Sequence, residues 1–166
     1  MLLNLGCGNK KLPGFLNVDL QGDPDEVADV FGPLPFESDS FEEVHAYHVA
    51  EHCYRWQIDG VLREWTRVLK PGGLMVLELP CLDKVLHIFQ AFIKEGKPPP
   101  TNLTMWGLFG DPGWKDPAMC HRWAYSVVEM TALMEHAGMT VKLLPPQTHV
   151  AVRDMRLEGR KHGKTL

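Results

Sequence analysis

The stretch LLNLGCGNKKLPGFLNVDL, residues 2–20, decides the fold class. An apolar run over residues 2–5 passes directly into Gly6 and Gly8, and a second apolar run over residues 15–20 carries an acid, Asp19, near its end. Short apolar runs separated by a glycine turn predict two buried strands with a short connection. Glycine at a strand end also lets a ligand come close to the backbone, because no Cβ obstructs it.

The rest of the chain continues to alternate between strands and helices. We predict further strands at residues 25–30, 42–47, 74–79, 140–144 and 152–159. Apolar residues on one helical face predict a helix over residues 57–69. Similar patterns predict helices over residues 82–94 and 126–137, the second opened by a capping box of Ser126 and Glu129. This order predicts an α/β fold with a mostly parallel sheet and helices on both faces.

Composition narrows the functional class. The chain has 166 residues, 45% of them hydrophobic, which fits one globular domain spanning residues 1–166. Its net charge of −4 argues against nucleic-acid binding. The four cysteines are widely spaced and form no metal-binding or disulfide pattern, which favours a reduced, cytoplasmic setting. No apolar run reaches the length of a membrane span, and nothing in the composition indicates an oligomeric state.

Four features fall at the carboxyl ends of the predicted strands, where α/β sheets bind ligands. They are the glycine pair, Asp19, Asp29 and His48. A dinucleotide fingerprint needs a third glycine where this chain has Lys11, and a phosphate-binding loop needs a Gly-Lys-Ser/Thr sequence that is missing. We therefore expect a nucleoside-like ligand without a pyrophosphate, with Asp19 accepting hydrogen bonds from the ribose. The alternatives for these residues are a plain tight turn and a strand-end acid.

The sequence HVAEH, residues 48–52, matches the zinc signature of the inverted zinc proteases. In those enzymes two histidines on one helical face hold the metal, and a glutamate acts as general base. A zinc hydrolase using His48, Glu51 and His52 would need a third ligand, for which Glu64 is a candidate by sequence. The chain is also short for a peptide cleft. We therefore expect no metal at this motif.

Three blocks, residues 3–20, 28–52 and 64–80, resemble class I S-adenosylmethionine-dependent methyltransferases, most closely the compact, type 11-like branch. Residues 121–139 and 152–161 resemble the last helix and final antiparallel strand of that family. The resemblance implies a Rossmann-like three-layer sandwich with a seven-stranded sheet whose last strand is antiparallel. It implies S-adenosylmethionine as cofactor and S-adenosylhomocysteine as product. It also implies the cofactor-binding residues Leu5, Gly6, Cys7, Gly8, Asp19, Leu20, Asp29 and His48, and in the family the segment like HVAEH holds no metal.

The sequence indicates less about the methyl acceptor than about the cofactor. Residues 81–123 look like an acceptor-side insertion or lid, and bulky rings could either stack on an acceptor or form a small core: Trp106, Phe109, Trp114 and Trp123. A general base is needed only where the acceptor must lose a proton; His48 and His121 are the catalytic candidates, ahead of Tyr125. We expect methyl transfer to a small-molecule or glycan-type acceptor. The alternative is a catalytically silent module that binds the cofactor.

Overall fold

The computed structural model of the protein describes residues 1–163. Within these residues, seven strands form one sheet: β1 (Leu2–Leu5), β2 (Phe15–Asp19), β3 (Glu26–Val27), β4 (Phe41–Tyr47), β5 (Leu69–Pro80), β6 (Met139–Leu144) and β7 (Asp154–Lys161). The same part of the chain contains four α-helices: α1 (Ile58–Val68), α2 (Leu82–Lys94), α3 (Met105–Phe109) and α4 (Val127–His136). None of these described helices is long and apolar enough to cross a membrane.

The strands lie in the order β3-β2-β1-β4-β5-β7-β6. β1 pairs in parallel with β2 and β4, and β4 pairs in parallel with β5. β7 runs antiparallel to both of its neighbours, β5 and β6. The predicted Rossmann-like, mostly parallel seven-stranded sheet with an antiparallel last strand is thus confirmed. The order switches between β1 and β4, and such a switch point is where α/β sheets bind ligands.

β3 and β5 differ most from the sequence prediction, whereas the ends of the other strands lie within two residues of it. β3 covers only Glu26–Val27 of the predicted residues 25–30, because its partner β2 ends at Asp19 and offers no further residues to pair with. β5 begins five residues before the predicted start at residue 74, because Leu69 already pairs with Phe41 ahead of a register shift. Neither change moves the carboxyl ends of β1, β2 or β4, where the candidate site residues lie.

The helices α1 and α4 pack on one apolar face of the sheet. The predicted stripe of α1 is fully buried, and it includes Ile58, Val61, Leu62, Trp65 and Val68. These side chains share one core with sheet residues on alternating positions, such as Leu3, Leu5, Val44 and Ala46. The indole Nε1 of Trp65 donates a 2.7 Å hydrogen bond to the carbonyl oxygen of Val30, so this core also fixes the chain after β3.

The other face of the sheet carries polar side chains. Strand register places Asn4 beside Asn17, and the Asn4 amide donates to the Asn17 side chain at 2.9 Å. Farther along the same face, the Arg156 guanidinium donates to the buried Glu78 carboxylate at 2.9 Å. This face is therefore stabilised by hydrogen bonds and ion pairs, whereas the face under α1 and α4 is stabilised by apolar packing.

Candidate active site

In the glycine turn after β1, Gly6 packs against Val49, whereas the space beside Gly8 is open. Gly6 has a φ of 69°, and a Cβ built there would lie 2.4 Å from Cγ2 of Val49, so that any larger residue would have to displace Val49. Gly8 has a φ of 51°, but a Cβ there would meet no protein atom within 4 Å among the described residues. The space beside Gly8 is thus free for a ligand to approach the backbone.

Asp19 is held in place at the end of β2 by the same turn. The backbone N–H of Gly8 donates to its Oδ2 at 2.7 Å, and the N–H of Gln21 donates to its Oδ1 at 3.1 Å. A carboxylate offers about four lone-pair sites, so Asp19 keeps acceptor capacity for two ligand hydroxyl groups. The neighbouring Leu20 is 58% exposed, which leaves an apolar surface beside this acceptor.

The remaining predicted cofactor residues differ in exposure. Leu5 and Cys7 are buried beneath the turn, and burial, followed by the charge of Asp19, raises the pKa of the Cys7 thiol. Asp29 is exposed, and its Oδ1 accepts a 2.9 Å hydrogen bond from the N–H of Phe31. Asp29 follows β3 just as Asp19 closes β2, so both acids stand at the carboxyl edge of the sheet.

His48 lies directly after β4 with both ring nitrogens beside carboxylates. Its backbone is in the left-handed region, at a φ of 56°, and its N–H donates to the carbonyl of Glu78 at 2.7 Å. Nδ1 lies 3.1 Å from Oε1 of Glu51, and Nε2 lies 3.2 Å from Oδ2 of Asp154. These are ion-pair distances, although the approach of Nε2 is not aligned as a hydrogen bond.

The charges around His48 determine its protonation. Burial by itself disfavours the imidazolium, but the carboxylates of Asp154 and Glu51 outweigh it and raise the pKa of His48 to about 9. Burial likewise opposes ionisation of Asp154, but His48 and Arg153 lower its pKa to about 2. His48 is therefore charged at neutral pH, and in this arrangement it has no free nitrogen lone pair with which to accept a proton.

The motif HVAEH does not form the helix that the zinc-protease pattern requires. Only Ala50–His52 are helical, as a single 3₁₀ turn, and His48 lies outside it. The two histidines also belong to different side-chain groups: His48 lies with His149 and Asp154, whereas His52 lies with Glu51 and His121. The inverted-protease geometry, with both histidines on one α-helical face, is absent from the described residues.

Residues 97–123 contain several short helical turns, and the end of this segment is hydrogen-bonded to the HVAEH motif. The segment contains α3 and three 3₁₀ turns. The N–H groups of Arg122 and Trp123 donate to the carbonyl of Glu51 at 2.8 and 3.3 Å. Several of its rings are exposed, by 61% at Phe109, 63% at Trp114 and 42% at Trp123. Such exposure favours a contact surface over a small buried core.

His121 lies near the end of this segment and points toward Glu51. Its Nε2 is 4.0 Å from Oε1 of Glu51, and its Nδ1 is 3.1 Å from the carbonyl oxygen of Gly107. Burial, only partly offset by the charge of Glu51, lowers the pKa of His121. The structure thus brings His48 and His121 to the same buried carboxylate, one on each side of it.

Sequence reasoning named Glu51 only as part of the zinc signature, and it missed Asp154, the other carboxylate that organises these histidines. Glu51 is 1% exposed and Asp154 is fully buried, yet the prediction treated Asp154 only as part of a strand. A signal was present, because Arg153 and Asp154 sit next to each other near the start of the predicted strand. Paired opposite charges there suggest a buried ion pair, and Arg153 Nε indeed donates to Asp154 Oδ1 at 2.7 Å.

The geometry of the rim fits S-adenosylmethionine. The open backbone at Gly8 can admit a ligand, and Asp19 retains lone pairs for the two ribose hydroxyls. The turn after Gly8 leads to β2 without an α-helix, so this connection offers no helix N-terminus to bind a pyrophosphate. These observations favour a nucleoside-type cofactor over a dinucleotide.

Comparison with known proteins points the same way. Residues 8–77 match the family model described as a methyltransferase domain. No curated protein sequence matches the chain.

Solved structures share the fold over almost the whole chain. An S-adenosylmethionine-dependent methyltransferase from Mesorhizobium loti has 14% identity and a TM-score of 0.64, with 96% of this chain and 90% of that chain covered. One from Methanosarcina mazei has 16% identity and a TM-score of 0.61, covering 98% and 92%. One from Archaeoglobus fulgidus has 14% identity and a TM-score of 0.60, covering 96% and 85%. At these identities the likeness shows a common fold.

The sequence match covers β2 to β4 and most of β5, and the structural likeness covers almost the whole chain. The match over residues 8–77 and the shared fold together support an S-adenosylmethionine-dependent methyltransferase.

Proposed function

We propose that the protein transfers a methyl group from S-adenosylmethionine to a small-molecule or glycan-type acceptor by in-line displacement. The observation that carries this proposal is the exposed set of aromatic rings on residues 97–123, a segment tied at its end to Glu51. Flat aromatic side chains bind sugars and planar metabolites through their faces. The net charge of −4 argues against a nucleic-acid backbone as the acceptor.

We further propose that the cofactor contacts the turn and the two acids beside it. The backbone at Gly6–Gly8 and the underlying Leu5 would hold its methionine part, Asp19 its ribose, and Leu20 and Asp29 its adenine. When bound, S-adenosylmethionine supplies a methyl group already activated by a positively charged sulfur. The chain's own task is to hold the acceptor at attack distance, and such positioning contributes about 7–11 kcal/mol in favourable cases.

The two candidate histidines take different roles in this proposal. His48 is a positioning residue, because its ring is clamped between Glu51 and Asp154 and its backbone is paired with β5. It would line the cofactor pocket and hold Glu51 in place. His121 is the residue we propose to act on the acceptor side, because it closes residues 97–123 against the same carboxylate.

We propose that residues 81–123 are the acceptor-side insertion of a single methyltransferase domain spanning residues 1–166. α2 occupies residues 82–94, so the part available to cover the methyl group is residues 97–123. Closure over a bound acceptor would exclude water from the reaction, as mobile lids do in other enzymes.

Incubation with methyl-labelled S-adenosylmethionine and fractionated host extract tests the function. We expect label in a small-molecule or glycan fraction. We expect none in material that nuclease or protease treatment degrades. Label retained by nucleic acid or protein would refute the acceptor class. S-adenosylhomocysteine binding by calorimetry, run in parallel, separates a wrong acceptor from a silent binding module, which would bind the product yet label no fraction.

A further inference from the structure

Three side chains from two distant parts of the chain bring possible metal ligands together at the rim. Glu51, His52 and His121, here called the Glu51 cluster, place one carboxylate oxygen and two imidazole nitrogens within 4.8 Å of one another. Glu51 and His52 come from the 3₁₀ turn after β4, and His121 comes from the end of residues 97–123. Imidazole and carboxylate are the ligand types that zinc takes in catalytic sites.

Both histidines of the cluster are already oriented as metal ligands are. Nδ1 of His52 lies 3.3 Å from the carbonyl oxygen of Cys120, and Nδ1 of His121 lies 3.1 Å from that of Gly107. A carbonyl oxygen can only accept, so each Nδ1 carries the proton and each Nε2 keeps a free lone pair. A backbone carbonyl on the second nitrogen is the usual support of a metal-binding histidine.

The burial of the Glu51 carboxylate also favours a bound ion. Its side chain is 2% exposed, and neither of its carboxylate oxygens has an aligned hydrogen bond within residues 1–163. The nearest positive charge is His48, whose Nδ1 lies 3.1 Å from Oε1 as an ion pair. Burying a carboxylate without hydrogen bonds costs considerable free energy unless a cation or a metal compensates it. His48 already supplies a positive charge on one side of this carboxylate, and an ion held by Glu51, His52 and His121 would add direct bonds to its oxygens.

We propose that the Glu51 cluster binds one divalent ion of the zinc class. Zinc–nitrogen and zinc–oxygen bonds of about 2.0–2.2 Å require the ligand atoms to approach to roughly 3.3 Å of each other. The 4.0 Å between His121 Nε2 and Glu51 Oε1 is therefore close to the bound geometry, and small side-chain rotations complete it. Three protein ligands leave a fourth position of the ion for water or an acceptor group.

The other histidine group at the rim lacks these features. Asp154, which lies with His48 and His149, already accepts hydrogen bonds from Arg153 Nε at 2.7 Å and from the N–H of Val150 at 3.0 Å. His149 is exposed, and its ring packs on that of His48 at a centroid distance of 4.2 Å. This carboxylate has its partners without a metal, so His149 serves as the matched control position.

A bound ion at the Glu51 cluster would be a property additional to the proposed methyl transfer. It would tie the end of residues 97–123 to the turn after β4 through metal bonds as well as backbone hydrogen bonds. It would also use the Nε2 lone pair of His121, so that His121 acts as a ligand and not as a free base. Metal binding does not require S-adenosylmethionine, and its outcome is therefore separate from that of methyl transfer.

Zinc titration of metal-depleted protein by calorimetry tests the proposal. The wild type should bind one Zn²⁺ per chain, and Co²⁺ in its place should give the intense visible absorption of a four- or five-coordinate site. Loss of an outer-shell partner weakens metal sites by about 10–100-fold, so His52→Gln and His121→Gln, which remove ligands, should each weaken binding by about 100-fold or more. His149→Gln and Cys120→Ser should leave it within about twofold.

Several results would overturn the Glu51 cluster as a metal site. They are no saturable zinc binding by the wild type, unchanged binding by both ligand variants, or a loss confined to His149→Gln or Cys120→Ser. Binding of S-adenosylhomocysteine by each variant shows that it is folded. If His121→Gln disturbs folding, the Co²⁺ spectrum of the wild type and the affinity of His52→Gln still decide, since a weak, six-coordinate spectrum would also contradict the proposal.

Discussion

The glycine turn of residues 6–8 and the acceptor-side segment of residues 97–123 are built in different ways. The turn is held by its neighbour in the sheet, as in the hydrogen bond from Gly8 to Asp19, only 11 residues away. The segment is held by remote chain: Arg153 donates to the carbonyl of Asn102 across 51 residues, and His52 contacts that of Cys120 across 68. The first region is therefore largely determined by local sequence, whereas the second depends on how the sheet is assembled.

We expect the largest loss of cofactor affinity from a substitution that fills the open space beside Gly8. Gly8→Val should reduce S-adenosylhomocysteine affinity by at least about 100-fold, which corresponds to about 2.7 kcal/mol, because the side chain fills the space beside the backbone. Gly14→Val is the matched control. Gly14 also has a positive φ, 81°, and nothing within 4 Å of its Cβ position among the described residues, but it precedes β2 at the opposite edge of the sheet.

Both glycine variants should lose similar stability, about 1–2 kcal/mol, from the left-handed backbone alone. Calorimetry gives the affinities and thermal unfolding gives the stabilities. Equal loss of affinity in the two variants would mean that strain, and not the ligand's approach to Gly8, explains the effect.

The second prediction concerns the acceptor-side segment. Replacing residues 107–113 with a Gly-Ser linker disrupts α3, which positions the Gly107 carbonyl that His121 contacts, and removes the exposed ring of Phe109. Methyl transfer should fall below detection, while S-adenosylhomocysteine affinity should stay within about threefold, because no cofactor contact is expected there. Radiolabel transfer and calorimetry measure the two effects on one protein. Retained transfer would place the acceptor site elsewhere.

The third prediction returns to the cofactor side. Asp19→Ala should weaken S-adenosylhomocysteine binding by about 1–3 kcal/mol, since it removes the proposed acceptor of two ribose hydroxyls and the anchor of the Gly8 N–H. Asp23→Ala, an exposed acid on the same loop that pairs with Lys11, should change affinity by less than twofold. An Asp23 variant as weak as the Asp19 variant would indicate a general charge effect, which a titration at higher salt would reveal.

The contrast between the two regions also explains what could be predicted from the sequence. β1, the glycine turn and Asp19 follow one another within twenty residues, and the stripe of α1 repeats with the helical period, so local patterns suffice for them. The partners of His48 could not be read in this way, because Asp154 reaches it only after β7 inserts between β5 and β6.

The arrangement of the Glu51 cluster could not be predicted from local sequence patterns either. The expectation that HVAEH holds no metal considered ligands within the motif and on the following helix. In the structure His48 lies between Glu51 and Asp154, and the second histidine grouped with Glu51 and His52 is His121 from the acceptor-side segment. No spacing rule links His52 with His121, since the two are joined only through the fold. Our metal proposal therefore departs from the sequence expectation for a topological reason.

The smallest expected effect distinguishes the two acids of the cofactor side. Asp29 is exposed and Asp19 is half-buried, and a hydrogen bond in water contributes less than one shielded from it. Asp29→Ala should therefore weaken S-adenosylhomocysteine binding by only about 0.5–1.5 kcal/mol, the net value of a typical hydrogen bond. The inosine analogue, which lacks the adenine amino group, sharpens the test. With that analogue the Asp29→Ala effect should vanish, because its hydrogen-bond donor is gone, while the Asp19→Ala effect should persist. An Asp29 effect of equal size with both ligands would show that Asp29 acts by capping the N–H of Phe31 and not by contacting adenine.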